Sequence, residues 1–142
     1  MHFQLKYKVY FLDYLTEFNV LSLKFNNDLI EVEFDNDGIL SKVFIDNKTT
    51  FLMENTGLKD VNSREVYTNE IYKDNNQDLY RIYKTIGGFG ISLKPFPSTF
   101  RGFDQYFLES LSERQMISWF ESHCVYDGNI FDEKYKSYNL IY

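Results

Sequence analysis

The chain has 142 residues, 25% of them charged, and its 15 Lys and Arg against 21 Asp and Glu leave a formal charge of −6. That length suits one domain with one core, residues 1–142, which needs neither disulfide nor metal to fold. A negative surface is repelled by phosphate backbones and argues against nucleic acid, and a lone cysteine, Cys124, excludes an internal disulfide and fits a reducing compartment.

The first residues, Met1-His2-Phe3-Gln4-Leu5-Lys6, alternate apolar with polar, whereas a signal peptide runs apolar there. No stretch approaches the roughly 20 apolar residues of a membrane span, so no membrane and a cytoplasmic location are expected. Aromatic residues make up 19% of the chain, including fourteen Phe and twelve Tyr, and aromatics favour strands. Some of the tyrosines are expected at a surface that binds another protein.

Taken in chain order, Phe3, Leu5, Tyr7, Val9 and Phe11 share one face of a first strand, with Gln4, Lys6 and Lys8 opposite. Asp13 to Asn19 has no period and reads as a connection. Val20–Phe25, Leu29–Asp35 and Ile39–Asp46 read as a three-stranded meander. Asp37-Gly38 suits a two-residue hairpin loop, in which both central residues need positive φ. That loop pairs Phe34 with Ser41, Val32 with Val43 and Ile30 with Ile45, and sets Glu33 opposite Lys42. An Asn27-Asp28 loop places Phe25, Leu23 and Leu21 against Ile30, Val32 and Phe34, and Lys24 against Glu31. One register buries the apolar sets and pairs the charges.

Thr49 to Arg64 carries no clear element. Glu65–Tyr72 and Leu79–Ile86 predict a second hairpin across the polar residues 73–78. After Gly87-Gly88, Phe89, Ile91 and Leu93 alternate as far as Pro95 and Pro97. Asp104–Leu111 is a candidate short helix. Ser112-Glu113-Arg114-Gln115 fits a capping box, opening a helix whose apolar face is Met116, Ile117, Phe120 and Cys124, with Trp119 at its margin. Asp127-Gly128 predicts a turn, and Tyr138, Leu140 and Tyr142 a final strand. The expected class is α+β, mostly antiparallel β-sheet with a short helical segment near the C-terminus packed on it.

Chemistry is harder to find. Gly87-Gly88-Phe89-Gly90 lacks the third glycine of a dinucleotide loop, with Leu93 in its place, and leads into a strand, so it reads as a bulge or turn. Gly88-Phe89-Gly90 also matches part of an RNA-recognition motif, but Gly87, Ile91 and Lys94 stand where a basic residue and two aromatics belong. His123 and Cys124 are helix neighbours whose side chains point about 100° apart, His2 is remote, and Cys124 continues an apolar stripe. His123, Cys124 and Asp127 lack a second group of metal ligands. Glu109 and Glu113 read as a solvated helix face. No catalytic, cofactor-binding or metal-binding residue is expected, and no enzyme.

One charge pattern stands apart. Asp28, Glu31, Glu33, Asp35 and Asp37 fall between Phe25 and Ser41 with no basic residue among them. Glu31, Glu33 and Asp35 project from one strand face about 7 Å apart. Only Lys24 and Lys42 are placed to answer them, so these five acids are the candidate partner-binding residues, facing a basic protein.

A small, acidic, tyrosine-rich domain with such a stripe and no catalytic equipment resembles bacterial immunity proteins of the contact-dependent growth inhibition type. The resemblance implies binding to a cognate toxin, often a nuclease with a basic active site, and neutralising it by covering that site. The alternatives are a non-enzymatic phage or mobile-element protein or assembly subunit, and a ligand-binding or enzymatic domain with a pocket between sheet and helix.

Overall fold

A computed structural model describes residues 6–85, 88–93 and 113–138. The class is as expected, mostly antiparallel β-sheet, with one short α-helix among the described residues. Backbone contacts divide the chain into two compact units, Met1–Glu54 and Asn55–Tyr142.

In the first unit, β1 (Tyr7–Phe11), β2 (Thr16–Asn26), β3 (Leu29–Asn36), β4 (Ile39–Phe44) and the start of β5 (Thr50–Lys59) lie in the order β4-β3-β2-β1-β5. The meander has the predicted register. Phe34 pairs with Ser41, Val32 with Val43 and Glu33 with Lys42, and the Ile45 N–H donates to the Ile30 carbonyl at 3.0 Å. Phe25 pairs with Ile30, Leu23 with Val32 and Lys24 with Glu31.

The register then departs from expectation at a bulge between Val20 and Ser22. Val20, not Leu21, sits opposite Phe34, and Leu21 is left exposed. Beyond the bulge β2 continues back to Thr16, so most of the expected connection is strand, paired with β1 from Lys8↔Asn19 to Phe11↔Thr16. The chain reverses through the short 3-10 turn Leu12–Tyr14, with Leu15 at φ 49. Val9, Val32 and Phe34 are the buried centre of this unit, ringed by Phe11, Phe18, Leu23 and Val43. Tyr10, on the other face of β1, is buried as well.

Thr49 to Arg64, illegible in the sequence, is mostly β5. Its start is fixed by Asp46, whose Oδ1 accepts the N–H groups of Lys48, Thr49 and Thr50 at 2.8, 2.8 and 2.9 Å. The carboxylate turns the chain where no glycine stands.

The second unit holds the rest of β5, β6 (Glu65–Tyr67), β7 (Glu70–Lys73), β8 (Leu79–Thr85), β9 (Gly88–Leu93), α1 (Glu113–His123), β10 (Val125–Asn129) and a 3-10 segment, Glu133–Tyr138. Its four-stranded sheet has the order β10-β7-β8-β9, and β6 pairs with the end of β5. The expected β7–β8 hairpin is present, pairing Tyr72 with Tyr80. Glu65–Tyr72 is not one strand, however. Asn69, at φ 69, breaks it after Tyr67, and its N–H donates to the Ile82 carbonyl at 2.8 Å. Asp127-Gly128 lies within β10 at a bulge instead of forming a turn.

Val66, Tyr72, Tyr80, Ile82 and Ile91 pack with Met116, Phe120 and Cys124 of the predicted helix face, with Trp119 at the margin, while Ile117, the fourth residue of that face, is only half-buried. Tyr138 lies in the 3-10 segment, so it does not begin a strand. The expected Phe3 and Leu5, Pro95 and Pro97, the helix Asp104–Leu111, the cap residue Ser112, and Leu140 and Tyr142 all fall outside the described residues, as do His2, Gly87, Lys94 and Glu109.

Two loops of this unit share one design. In Asp60–Arg64 and in Asp74–Asp78 the leading carboxylate accepts the N–H groups two and four residues on, at 2.9 to 3.0 Å. The backbone closes each loop between first and last residues, with Ser63 (φ 64) and Gln77 (φ 68) in the left-handed region. Each shape is specified by one aspartate, with no glycine needed.

Candidate functional site

Strand alternation sorts the meander into two faces. One carries Ile30, Val32 and Phe34 into the core. The other presents Leu29, Glu31, Glu33 and Asp35 from β3, Ser22, Lys24 and Asn26 from β2, and Leu40, Lys42 and Phe44 from β4. The register lines these up in rows across the strands: Lys24–Glu31–Phe44, then Ser22–Glu33–Lys42, then Asp35–Leu40.

The acids do not all have the same surroundings. Glu33 meets Lys42 at 3.5 Å between half-exposed side chains. Such a pair contributes about 0–1 kcal/mol. Lys24 stands opposite Glu31, yet no ion pair joins them among the described residues. Asp35 accepts the Gly38 N–H at 2.7 Å, so it also shapes the hairpin turn. Asp37, at φ 51, is in that turn, while Asp28 is in the turn at the opposite end of β3. The structure thus brings Glu31, Glu33 and Asp35 together and places Asp28 and Asp37 at the two hairpin tips. Asp35 and Asp37 also border a polar groove with Lys8 and Glu17, which are themselves paired at 2.9 Å.

Sequence reasoning missed the apolar members of this face. Leu29, Leu40 and Phe44 are 52%, 59% and 49% exposed; Leu40 and Phe44 share rows with Asp35 and Glu31, and Leu29 precedes Glu31 on the same face of β3, in the row of Asn26. Their parity in the predicted register already held that signal. The expected role of tyrosine changes accordingly. Tyr10, Tyr67, Tyr72, Tyr80, Tyr83 and Tyr135 are buried, whereas Tyr14 is exposed. Leucine and phenylalanine supply the apolar area beside the acids.

The second unit holds a buried carboxylate that could suggest chemistry. Glu70 is fully buried, and its Oε1 accepts the Tyr67 N–H at 2.7 Å and the Tyr72 hydroxyl at 2.9 Å. Its Oε2 meets Arg64 Nη2 at 2.6 Å, and that guanidinium lies over the Tyr126 ring at 3.8 Å. Burial and the neighbouring Glu70 push the Tyr72 phenol well above its usual pKa. Both oxygens are occupied by the protein, which makes Glu70 a structural tie between β6, β7 and the loop before them.

Cys124 is fully buried, and burial, with Asp74 and Asp60 nearby, pushes its thiol up to about 12. A thiol so protonated is a poor nucleophile. The His123 Nδ1 lies 2.9 Å from the Trp119 carbonyl, in the last turn of α1, and the imidazole stacks on the indole. No group of three metal-ligating side chains occurs among the described residues. Nor is any helix there long and apolar enough to cross a membrane.

No curated protein matches the chain. Among solved structures, "Crystal structure of protein EF1440 from Enterococcus faecalis" is similar over 95% of this chain and 100% of that one, with a TM-score of 0.61 and 17% identity. At that identity the likeness is one of fold. The family model described as YopX protein matches residues 10–139, nearly the whole length, and the chain therefore belongs to the YopX family.

Proposed function

We propose that the protein works by binding a basic protein partner through the polar face of β2–β4, centred on Glu31, Glu33 and Asp35, without catalysing a reaction. The observation that carries this reading is the mixed character of the rows. Carboxylates with few answering lysines share these rows with exposed Leu40 and Phe44, and exposed Leu29 lies beside them on the same face. A fold gains little from clustering like charges, whereas charge pairs across an interface couple by about 1.5–7 kcal/mol and raise association rates. Neutralising a cognate toxin is the specific form of this function that the resemblance to immunity proteins implies, and the identity of the partner decides it. The lone cysteine, held as a buried thiol, supports a reducing location such as the cytoplasm.

The test is a double charge reversal, Glu31→Lys with Glu33→Lys, measured against the partner captured from the native host at low and high salt. The expected result is a normally folded variant that associates more slowly, and a wild-type complex weakened by salt. Association insensitive to both would reduce the face to a solvated sheet surface.

A further inference from the structure

Among the described residues, β4 is the edge of the sheet beside this face. The two-residue loop Asp37-Gly38 makes Asn36 and Ile39 a hydrogen-bonded pair, and such pairs alternate along an antiparallel ladder. The bond from Ile45 to Ile30 fixes the same phase. Ile39, Ser41 and Val43 therefore bond inward to β3, while Leu40, Lys42 and Phe44 direct their N–H and C=O groups away from it. Among the described residues nothing pairs with that side of β4. Natural edges are usually blunted by proline, a bulge or several charges. β4 has neither proline nor bulge, its single charge is Lys42, and Ile39 and Leu40 are 67% and 59% exposed.

We infer that β4 accepts an extended segment of a basic protein as an added strand, with basic side chains four residues apart lying over Leu40 and Phe44. The inference rests on the proposed basic partner and adds how it is held. An added strand bonds to the outward groups of Leu40, Lys42 and Phe44, and its side chains opposite those residues extend the three rows. Opposite Leu40, a Lys or Arg lays its stem on the leucine and sends its head towards Asp35. Opposite Phe44, it covers the ring and reaches towards Glu31, which has no ion pair among the described residues. The middle position faces Lys42, already committed to Glu33, and so excludes a base. The recognised pattern is base, any residue, non-basic residue, any residue, base. It reads the same in both directions, so a parallel or an antiparallel strand satisfies it.

The probes are synthetic eight-residue peptides of Val and Thr with arginines at positions 2 and 6 and serine at position 4. Three controls carry glutamates in place of the arginines, arginines at positions 2 and 7, or a third arginine at position 4. Binding is read by calorimetry, and amide exchange is read at Leu40, Lys42 and Phe44. The patterned peptide is expected to bind and to slow exchange of those three amides. Each control should lose at least about three- to fivefold in affinity, the effect of one exposed charge contact. Lys42→Pro removes an outward N–H and the exposed ion pair with Glu33 but breaks no backbone bond to β3, and it should abolish binding.

Equal binding of all peptides, no binding, or unchanged exchange with bound peptide would each overturn the inference. So would sedimentation showing that β4 is taken by a second copy of the chain. If Lys42→Pro does not fold, the exchange measurement on the wild-type protein decides. Should Glu31→Lys with Glu33→Lys weaken the captured partner while that partner leaves the three amides unprotected, strand addition fails and the acidic-face reading stands. Should the peptides bind as expected and the captured partner ignore charge reversal, the acidic-face reading fails for that partner.

Discussion

Gly128 illustrates how far one hydrogen in place of a methyl reaches. A Cβ there would lie 2.6 Å from the Asp132 carboxylate, 2.7 Å from the Tyr135 hydroxyl and 2.9 Å from its ring. Tyr135 is 2% exposed, and its hydroxyl donates to Asp127 Oδ2 at 2.5 Å, so it has no room to retreat. Gly128→Ala should cost about 1–3 kcal/mol in urea unfolding. Cys124→Ala should cost only about 1 kcal/mol through a small cavity and leave partner binding unchanged. Asp46 makes a pH prediction. Its bonds from Lys48, Thr49 and Thr50 hold its carboxyl well below the usual carboxylate range. A lowered folded pKa stabilises the fold above the unfolded value and loses that contribution as pH falls towards the folded one. The melting temperature of Asp46→Ala should therefore lie below wild type at neutral pH, and the gap should narrow in acid. These roles were hidden in the sequence, because nothing about Gly128 or Asp46 reveals which atoms converge on them.

Elements were legible where turn and pattern agreed. The β3–β4 hairpin has an Asp-Gly loop, alternating apolar residues and opposed charges, and all three point to one register. Val32, fully buried there, should tolerate no charge. Val32→Asp should lower stability by at least about 3 kcal/mol, read as loss of the folded fraction at moderate urea. The β1–β2 reversal, the entry to β5 and the break between β6 and β7 were not legible, for a common reason. Leu15, Asn47 and Asn69 all take positive φ without glycine. Their conformations are held by the Leu15 N–H on Leu12, the Asp46 carboxylate and the Asn69 N–H on Ile82. Only the Asp46 bonds are local to a side chain, and reading turns by Gly and Pro passes over all three. The bulge before Ser22 is likewise invisible to strict alternation, which puts Leu21 on the core face.

For the whole molecule, the expectation of one domain meets a chain whose contacts form two compact units, with β5 running through the boundary at Glu54. One cooperative transition, with equal calorimetric and van't Hoff enthalpies, is the expected result, and two separate transitions would divide the domain. The candidate face was half legible at this scale. Parity puts Leu29, Leu40 and Phe44 on the same face as Glu31, Glu33 and Asp35, but not that this face stays uncovered around them. Exposure depends on what the rest of the chain covers, and local pattern does not contain it.

The lone thiol has a further use as a clock. Cys124 closes α1 with its N–H on the Phe120 carbonyl, and its own carbonyl accepts from Val61, so reagent reaches the sulfur only when this corner opens. Where reclosing outpaces modification, the ratio of the labelling rate to that of the unfolded chain is the population of the open form, and its logarithm gives the opening free energy. With one cysteine in 142 residues, every modified molecule records one excursion at one place, without denaturant and without an introduced probe.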